Sequence, residues 1–153
     1  MISRRRLVVG ITGASGSIYG IRLLERLRET DVEAHLVLSR WGARTLVHET
    51  DYTVEQVQRL AAVVYPSTDQ GAAISSGSFL TLGMVVLPCS MKTLGQIATC
   101  TGEGLIARAA DVVREGLLSL EVGGGSILRC EHRSGSRAAS SGSWGSEVAA
   151  PHR

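Results

Sequence analysis

The stretch Leu7-Val8-Val9-Gly10-Ile11-Thr12-Gly13-Ala14-Ser15-Gly16-Ser17-Ile18-Tyr19-Gly20 decides the fold. Leu7 to Ile11 is a short apolar, β-branched run, the mark of a buried strand. Glycine and serine then crowd into a turn. Beyond it Ile18, Ile21, Leu24 and Leu27 recur at helical spacing, with Arg22, Glu25, Arg26 and Arg28 outside that stripe. Strand, glycine-rich turn and helix together place backbone N–H groups and a helix N-terminus against a phosphate. The plainer reading is a tight turn whose glycines serve close packing. The ligand reading is favoured because the turn sits where doubly wound sheets bind ligands.

The pattern repeats downstream. Ala34 to Leu38 reads as a second strand, and Trp41 to Glu49 as a helix. Thr53 with Gln56 forms a capping box. It opens a helix expected to turn Val54, Val57, Leu60, Ala61 and Val64 inward. A polar loop containing Ser75-Ser76-Gly77-Ser78 follows. Met84 to Leu87 is the cleanest buried strand, stopped by Pro88. Thr93 to Thr101 and Leu105 to Arg114 read as helices separated by Gly102 and Gly104. Strands alternating with helices imply right-handed crossovers and a parallel sheet covered on both faces. The expected fold is α/β: a Rossmann-like (flavodoxin-like), doubly wound, three-layer single domain.

The chain has 153 residues, enough for one domain without a disulfide or metal staple. Its net charge of +2 is too small to argue for nucleic acid or an anionic membrane surface. Arg4-Arg5-Arg6 resembles the start of a signal peptide. The apolar run after it is too short for one, so neither secretion nor membrane spanning is expected. The three cysteines include no C-x-x-C pair. Neither a disulfide framework nor a zinc site is expected, and a reducing cytoplasm is. Between positions 114 and 153 glycine and serine crowd the chain. Residues 1–122 therefore read as the folded domain and 123–153 as a Gly/Ser/Arg-rich tail with little to bury.

A nicotinamide dinucleotide site calls for an acidic residue at the end of the second strand. Ser39-Arg40 stands there, a pair that could take the extra phosphate of NADP and so serve a reductase. The glycine spacing is not strict G-x-G-x-x-G, and there is no Tyr-x-x-x-Lys pair. A mononucleotide such as FMN explains the same turn with fewer demands. A second loop, Pro88-Cys89-Ser90-Met91-Lys92-Thr93, follows the best strand and opens a helix. Ser90 and Thr93 can donate and accept hydrogen bonds there. Lys92, the only lysine, opposes the helix dipole, which favours a bound anion or electron-rich ring. Cys89 reads more readily as a small buried residue than as a nucleophile. Glu49 and Asp51 flank the end of a helix. For Glu49, surface solvation and a general acid/base role are both open, while Asp51, His35 and His48 read as structural.

These segments together resemble the UbiX-type flavin prenyltransferases. The matching strings are Val9-Gly-Ile-Thr-Gly-Ala-Ser-Gly-Ser-Ile-Tyr-Gly20, His35-Leu-Val-Leu-Ser39, Glu49-Thr-Asp51, Ile74-Ser-Ser-Gly-Ser-Phe79, Pro88-Cys-Ser-Met-Lys-Thr-Leu94 and Arg108-Ala-Ala-Asp-Val-Val113. They run in family order. The resemblance implies a cytoplasmic flavoprotein that forms large homo-oligomers, commonly dodecamers. It implies transfer of dimethylallyl from dimethylallyl phosphate to reduced FMN, without a metal, to supply a UbiD-type decarboxylase. By position, Gly13, Ala14, Ser15, Ser39, Ser90, Met91, Lys92 and Thr93 bind the flavin. Ser15, Glu49 and Arg108 match the catalytic set, with Glu49 the acid/base glutamate. Ser76 and Gly77 match the lining of the prenyl pocket.

Beyond Val113 the chain leaves the family pattern. The family's later Arg-Glu pair and its phosphate-binding Tyr and basic residue find no counterpart: no Tyr follows Tyr65 and no Lys follows Lys92. The tail reads as a frameshifted or aberrantly truncated terminus, which would leave a sheet edge uncovered. A catalytically impaired FMN-binding remnant or accessory subunit is the alternative function.

Overall fold

The computed structural model describes residues 5–115, 119–122 and 128–130. The order is β1 (Arg5–Ile11), α1 (Ser17–Leu27), β2 (Val32–Leu38), α2 (Arg40–Glu49), α3 (Val54–Gln58), β3 (Val63–Pro66), a 3-10 turn (Ala73–Ser75), β4 (Gly83–Val86), α4 (Met91–Thr99), α5 (Leu105–Glu115), β5 (Ser119–Val122) and β6 (Leu128–Cys130). The sheet runs β3-β2-β1-β4-β5-β6. Strands β1 to β5 are parallel, and β6 pairs antiparallel with β5. The strand order reverses between β1 and β4, a switch point where open α/β sheets bind ligands.

Alternation along each strand explains the three layers. Val9, Ile11, Ala34 and Leu36 point to one face and pack with Ile21 and Leu24 of α1, Leu46 of α2 and Val57 of α3. Val8, Val37, Met84 and Val86 point to the other and pack with Ile97 of α4 and with Leu105, Ile106, Ala109 and Ala110 of α5. Both faces are covered, so the strands read as continuous apolar runs. Each fully buried Leu or Ile contributes roughly 1.5–3 kcal/mol.

Two boundaries differ from the sequence reading. The helix begun by the Thr53–Gln56 capping box ends at Gln58 and does not reach Val64. Val63–Pro66 instead forms β3, with Val64 opposite Leu36 of β2. The free edge of β2 satisfies backbone groups that a longer helix would otherwise satisfy internally, and β-branched Val63 and Val64 suit an edge strand. The fourth helix starts at Met91 rather than Thr93 because Ser90 caps it. The strands β5 and β6 extend the sheet past β4 and were not anticipated. The remainder of the 123–153 segment lies outside the described residues.

Candidate functional site

Three loops meet at the C-terminal ends of β1, β2 and β4, and each opens a helix. They are tied to one another. The Ser39 amide donates to the Ile11 carbonyl (2.9 Å) and the Thr12 amide to the Pro88 carbonyl (3.0 Å). Ser39 caps α2 by accepting from the Gly42 amide (2.9 Å). Ser90 caps α4 by accepting from the Thr93 amide (3.3 Å), and its hydroxyl lies 3.0 Å from Thr93 Oγ1. Close approach demands glycine here. A Cβ on Gly13 would fall 2.6 Å from Trp41 Cβ. Gly16 has φ 100°, a left-handed conformation natural to glycine.

No side chain of its own N-cap closes the start of α1. Glu49, at the end of α2, does so from a distance. Its Oε2 accepts from the Gly16 amide (3.0 Å) and the Ser17 amide (3.1 Å). These bonds hold the carboxyl below its ordinary range, the Ser17 amide contributing most, with the Gly16 amide and Ser15 hydroxyl adding to it. Ser17 Oγ is buried beside it, with no geometrically formed hydrogen bond among the described residues. The sequence left Glu49 between solvation and chemistry. The structure places it at the start of α1, beside Ser15, as an ionised group able to receive a proton.

A cavity of about 430 Å³ opens beside these loops, lined in part by Ser39, Thr93, Ser67, Thr68, Gln70 and Gln96 and by the start of α5. Ser67, Thr68 and Gln70 escaped sequence reasoning. Ser67-Thr68 is a loop signal after Pro66, and reading Val64 into a helix hid that it follows a strand end. Thr12 was missed as well.

The other expected site residues fall as follows. Met91 and Lys92 are exposed in the first turn of α4. The amides of Gly13, Ala14 and Ser15 form no hydrogen bond among the described residues, leaving a row of donors. Arg108 is exposed on α5 with no ion pair among the described residues. Ser76 and Gly77 lie on the exposed loop before β4. Ser76 Oγ pairs with Ser78 Oγ at 2.9 Å, and neither Ser76 nor Gly77 lines the cavity. Burial pushes the Cys89 thiol up to about 11, which disfavours a nucleophilic thiolate. No cluster of potential metal ligands occurs among the described residues. No described helix is long and apolar enough to cross a membrane. The site as built offers amides, hydroxyls and one lysine to an anion or a polar ring edge, with one carboxylate beside them.

The profile of the flavoprotein family matches residues 1–117. The chain belongs to the flavoprotein family. Within it, this flavoprotein is similar to flavin prenyltransferase UbiX of Escherichia coli K12, at 57% identity over 110 residues, covering 71% of this chain and 58% of that protein. A probable UbiX-like flavin prenyltransferase of Streptomyces sp. strain D7 is 61% identical over 109 residues, 71% of this chain and 54% of that one. The crystal structure of AnUbiX (PadA1) in complex with FMN and dimethylallyl pyrophosphate superposes with a TM-score of 0.76 at 47% identity, covering 77% of this flavoprotein and 63% of that chain. A dodecameric FMN-dependent UbiX-like decarboxylase from Escherichia coli O157:H7 gives 0.75 at 48%, covering 76% and 64%. The flavoprotein thus spans little more than half the length of these curated relatives.

Proposed function

We propose that this flavoprotein carries the flavin site of a flavin prenyltransferase, which moves dimethylallyl from dimethylallyl phosphate to reduced FMN and so supplies a UbiD-type decarboxylase. The observation that carries the reading is the Glu49 carboxylate held against the start of α1 beside Ser15, at the sheet edge shared with Ser39 and Ser90.

The residues present suit FMN. Its phosphate and ring edges want N–H and O–H donors, and the free amides of Gly13, Ala14 and Ser15, the hydroxyls of Ser39, Ser90 and Thr93, and Lys92 with Met91 provide them. Reduced flavin supplies a nucleophile when bound. Glu49 holds or receives a proton at its carboxylate, relayed through the Ser15 hydroxyl. Arg108, without a carboxylate partner among the described residues, is available to the leaving phosphate. No metal is required. Trp41, Tyr19 and Met91 stand 63%, 65% and 79% exposed near the starts of α2, α1 and α4. An apolar rim of this kind supports a homo-oligomer, a dodecamer by family resemblance, and by the same resemblance Ser76 and Gly77 line the prenyl pocket. The family resemblance supports a cytoplasmic setting.

A second reading rests on the departure of the residues after Val113 from the family pattern: an FMN-binding remnant or accessory subunit without turnover. One experiment separates them. Purified protein, reduced FMN and dimethylallyl phosphate are mixed anaerobically and the flavin is weighed by mass spectrometry. A prenyl mass increment supports the enzyme, and FMN retained without it supports the remnant. Failure to bind FMN sinks both, and tight NADPH binding would revive the reductase.

A further inference from the structure

Thr12 follows the last residue of β1 and is almost wholly buried, at 1% exposure. Its hydroxyl donates to the Pro88 carbonyl (2.8 Å) and accepts from the Ser90 amide (2.7 Å). Its own amide donates to the same Pro88 carbonyl (3.0 Å). The hydroxyl is thus engaged as donor and acceptor at once, and its rotor is fixed. These bonds are not needed to pair the strands. The ladder between β1 and β4 already joins Val8, Val9 and Gly10 to Met84, Val85 and Val86, and the Leu87 amide continues it to the Gly10 carbonyl (2.8 Å). The Thr12 hydroxyl acts beyond the ladder, on the loop. Gly13, Ala14 and Ser15 leave from one side of it. Ser90, whose hydroxyl caps α4 and meets Thr93, leaves from the other.

We propose that Thr12 is a positioning residue for flavin binding: its hydroxyl sets the separation of the Gly13–Ser15 turn from the Ser90–Thr93 loop, so that both engage one ligand. This rests on the flavin reading above. Thr12 acts through the Pro88 carbonyl and the Ser90 amide. A valine of the same shape would leave the Ser90 amide without its acceptor and let the loop drift from the turn.

The test compares Thr12→Val and Thr12→Ser with the wild-type chain by FMN titration, visible circular dichroism of bound flavin, and amide exchange at Ser90. Thr12→Val should weaken FMN binding about tenfold and alter the flavin band, and Thr12→Ser should restore both to within about twofold. In the FMN-free wild-type protein the Ser90 amide should be protected, with little further protection when FMN is added. Folded Thr12→Val that binds FMN as the wild type does, Thr12→Ser as weak as Thr12→Val, or a rapidly exchanging Ser90 amide would each overturn the proposal. Should Thr12→Val not fold, Thr12→Ser and the Ser90 exchange decide. Wild-type protein that ignores FMN overturns the flavin reading and this inference with it, whereas wild-type binding with an indifferent Thr12→Val overturns this inference alone.

Discussion

The Glu49 carboxylate accepts the Ser17 amide at 3.1 Å, so the end of α2 closes the start of α1. One acidic side chain thereby satisfies two first-turn amides and lies favourably in the helix dipole. Glu49→Gln keeps the shape and loses the charge. Prenyl transfer should fall roughly 100-fold or more, the scale of a lost general acid/base, while FMN titration should move little. Steady-state kinetics beside that titration checks it, and unchanged turnover would remove Glu49 from the chemistry.

Stability should also depend on Glu49 at acid pH. Its folded-state pKa is depressed, so the contribution is complete above the ordinary value of 4.5 and disappears as pH falls through the lower folded value. The group is exposed, so the effect is small and weakens with salt. Urea midpoints of wild type and Glu49→Gln should converge as pH is lowered below 4.5.

His35 gives a second pH dependence, set by different surroundings. Its Nδ1 lies 2.9 Å from the Tyr65 hydroxyl and its ring meets Phe79 edge-on. Its Nε2 stands 3.9 Å from Glu33, and Arg6 lies over Phe79. Burial foremost, then Arg6, lowers its pKa from 6.5, against the pull of Glu33. The neutral ring is the stable one. Stability should be full above 6.5 and decline as pH falls from there toward the folded value, because the unfolded chain takes up the proton first. Melting temperature followed from about pH 8 to about pH 5.5 should show this slope, and His35→Gln should flatten it.

Gly42 tests the closeness of α2 to β1. A Cβ there would stand 2.5 Å from the Ile11 carbonyl, a backbone atom that cannot swing aside. Gly42→Ala should destabilise the protein by about 1–3 kcal/mol in urea unfolding and weaken FMN binding through displacement of Ser39. Gly95→Ala is the control, since a Cβ at that position meets nothing within 4 Å.

Trp41, 63% exposed, tests the apolar rim. Trp41→Glu should shift the oligomer toward smaller species in sedimentation velocity, with the far-ultraviolet spectrum preserved. A wild-type protein that sediments as a monomer would remove the oligomer proposal.

Much of this flavoprotein was legible in its sequence, for reasons that are local. Apolar runs such as Leu7 to Ile11 specify buried strands whatever surrounds them, and the Thr53–Gln56 capping box forms between near neighbours. Glycine at 13 and 16 and serine at 39 and 90 announce turns and helix starts through their own stereochemistry. Ordered together, those strings sufficed to indicate the family. What tertiary structure alone decided involves partners far apart in the chain. Val63–Pro66 became a strand because β2 presented an open edge for its β-branched residues to pair with. Glu49 became the cap of α1 across more than thirty residues, and Thr12 met Ser90 across 78. Helical periodicity, capping and turn chemistry are written in neighbouring residues. Which hydroxyl or carboxylate meets which distant amide is settled only when the sheet closes and brings the loop ends together.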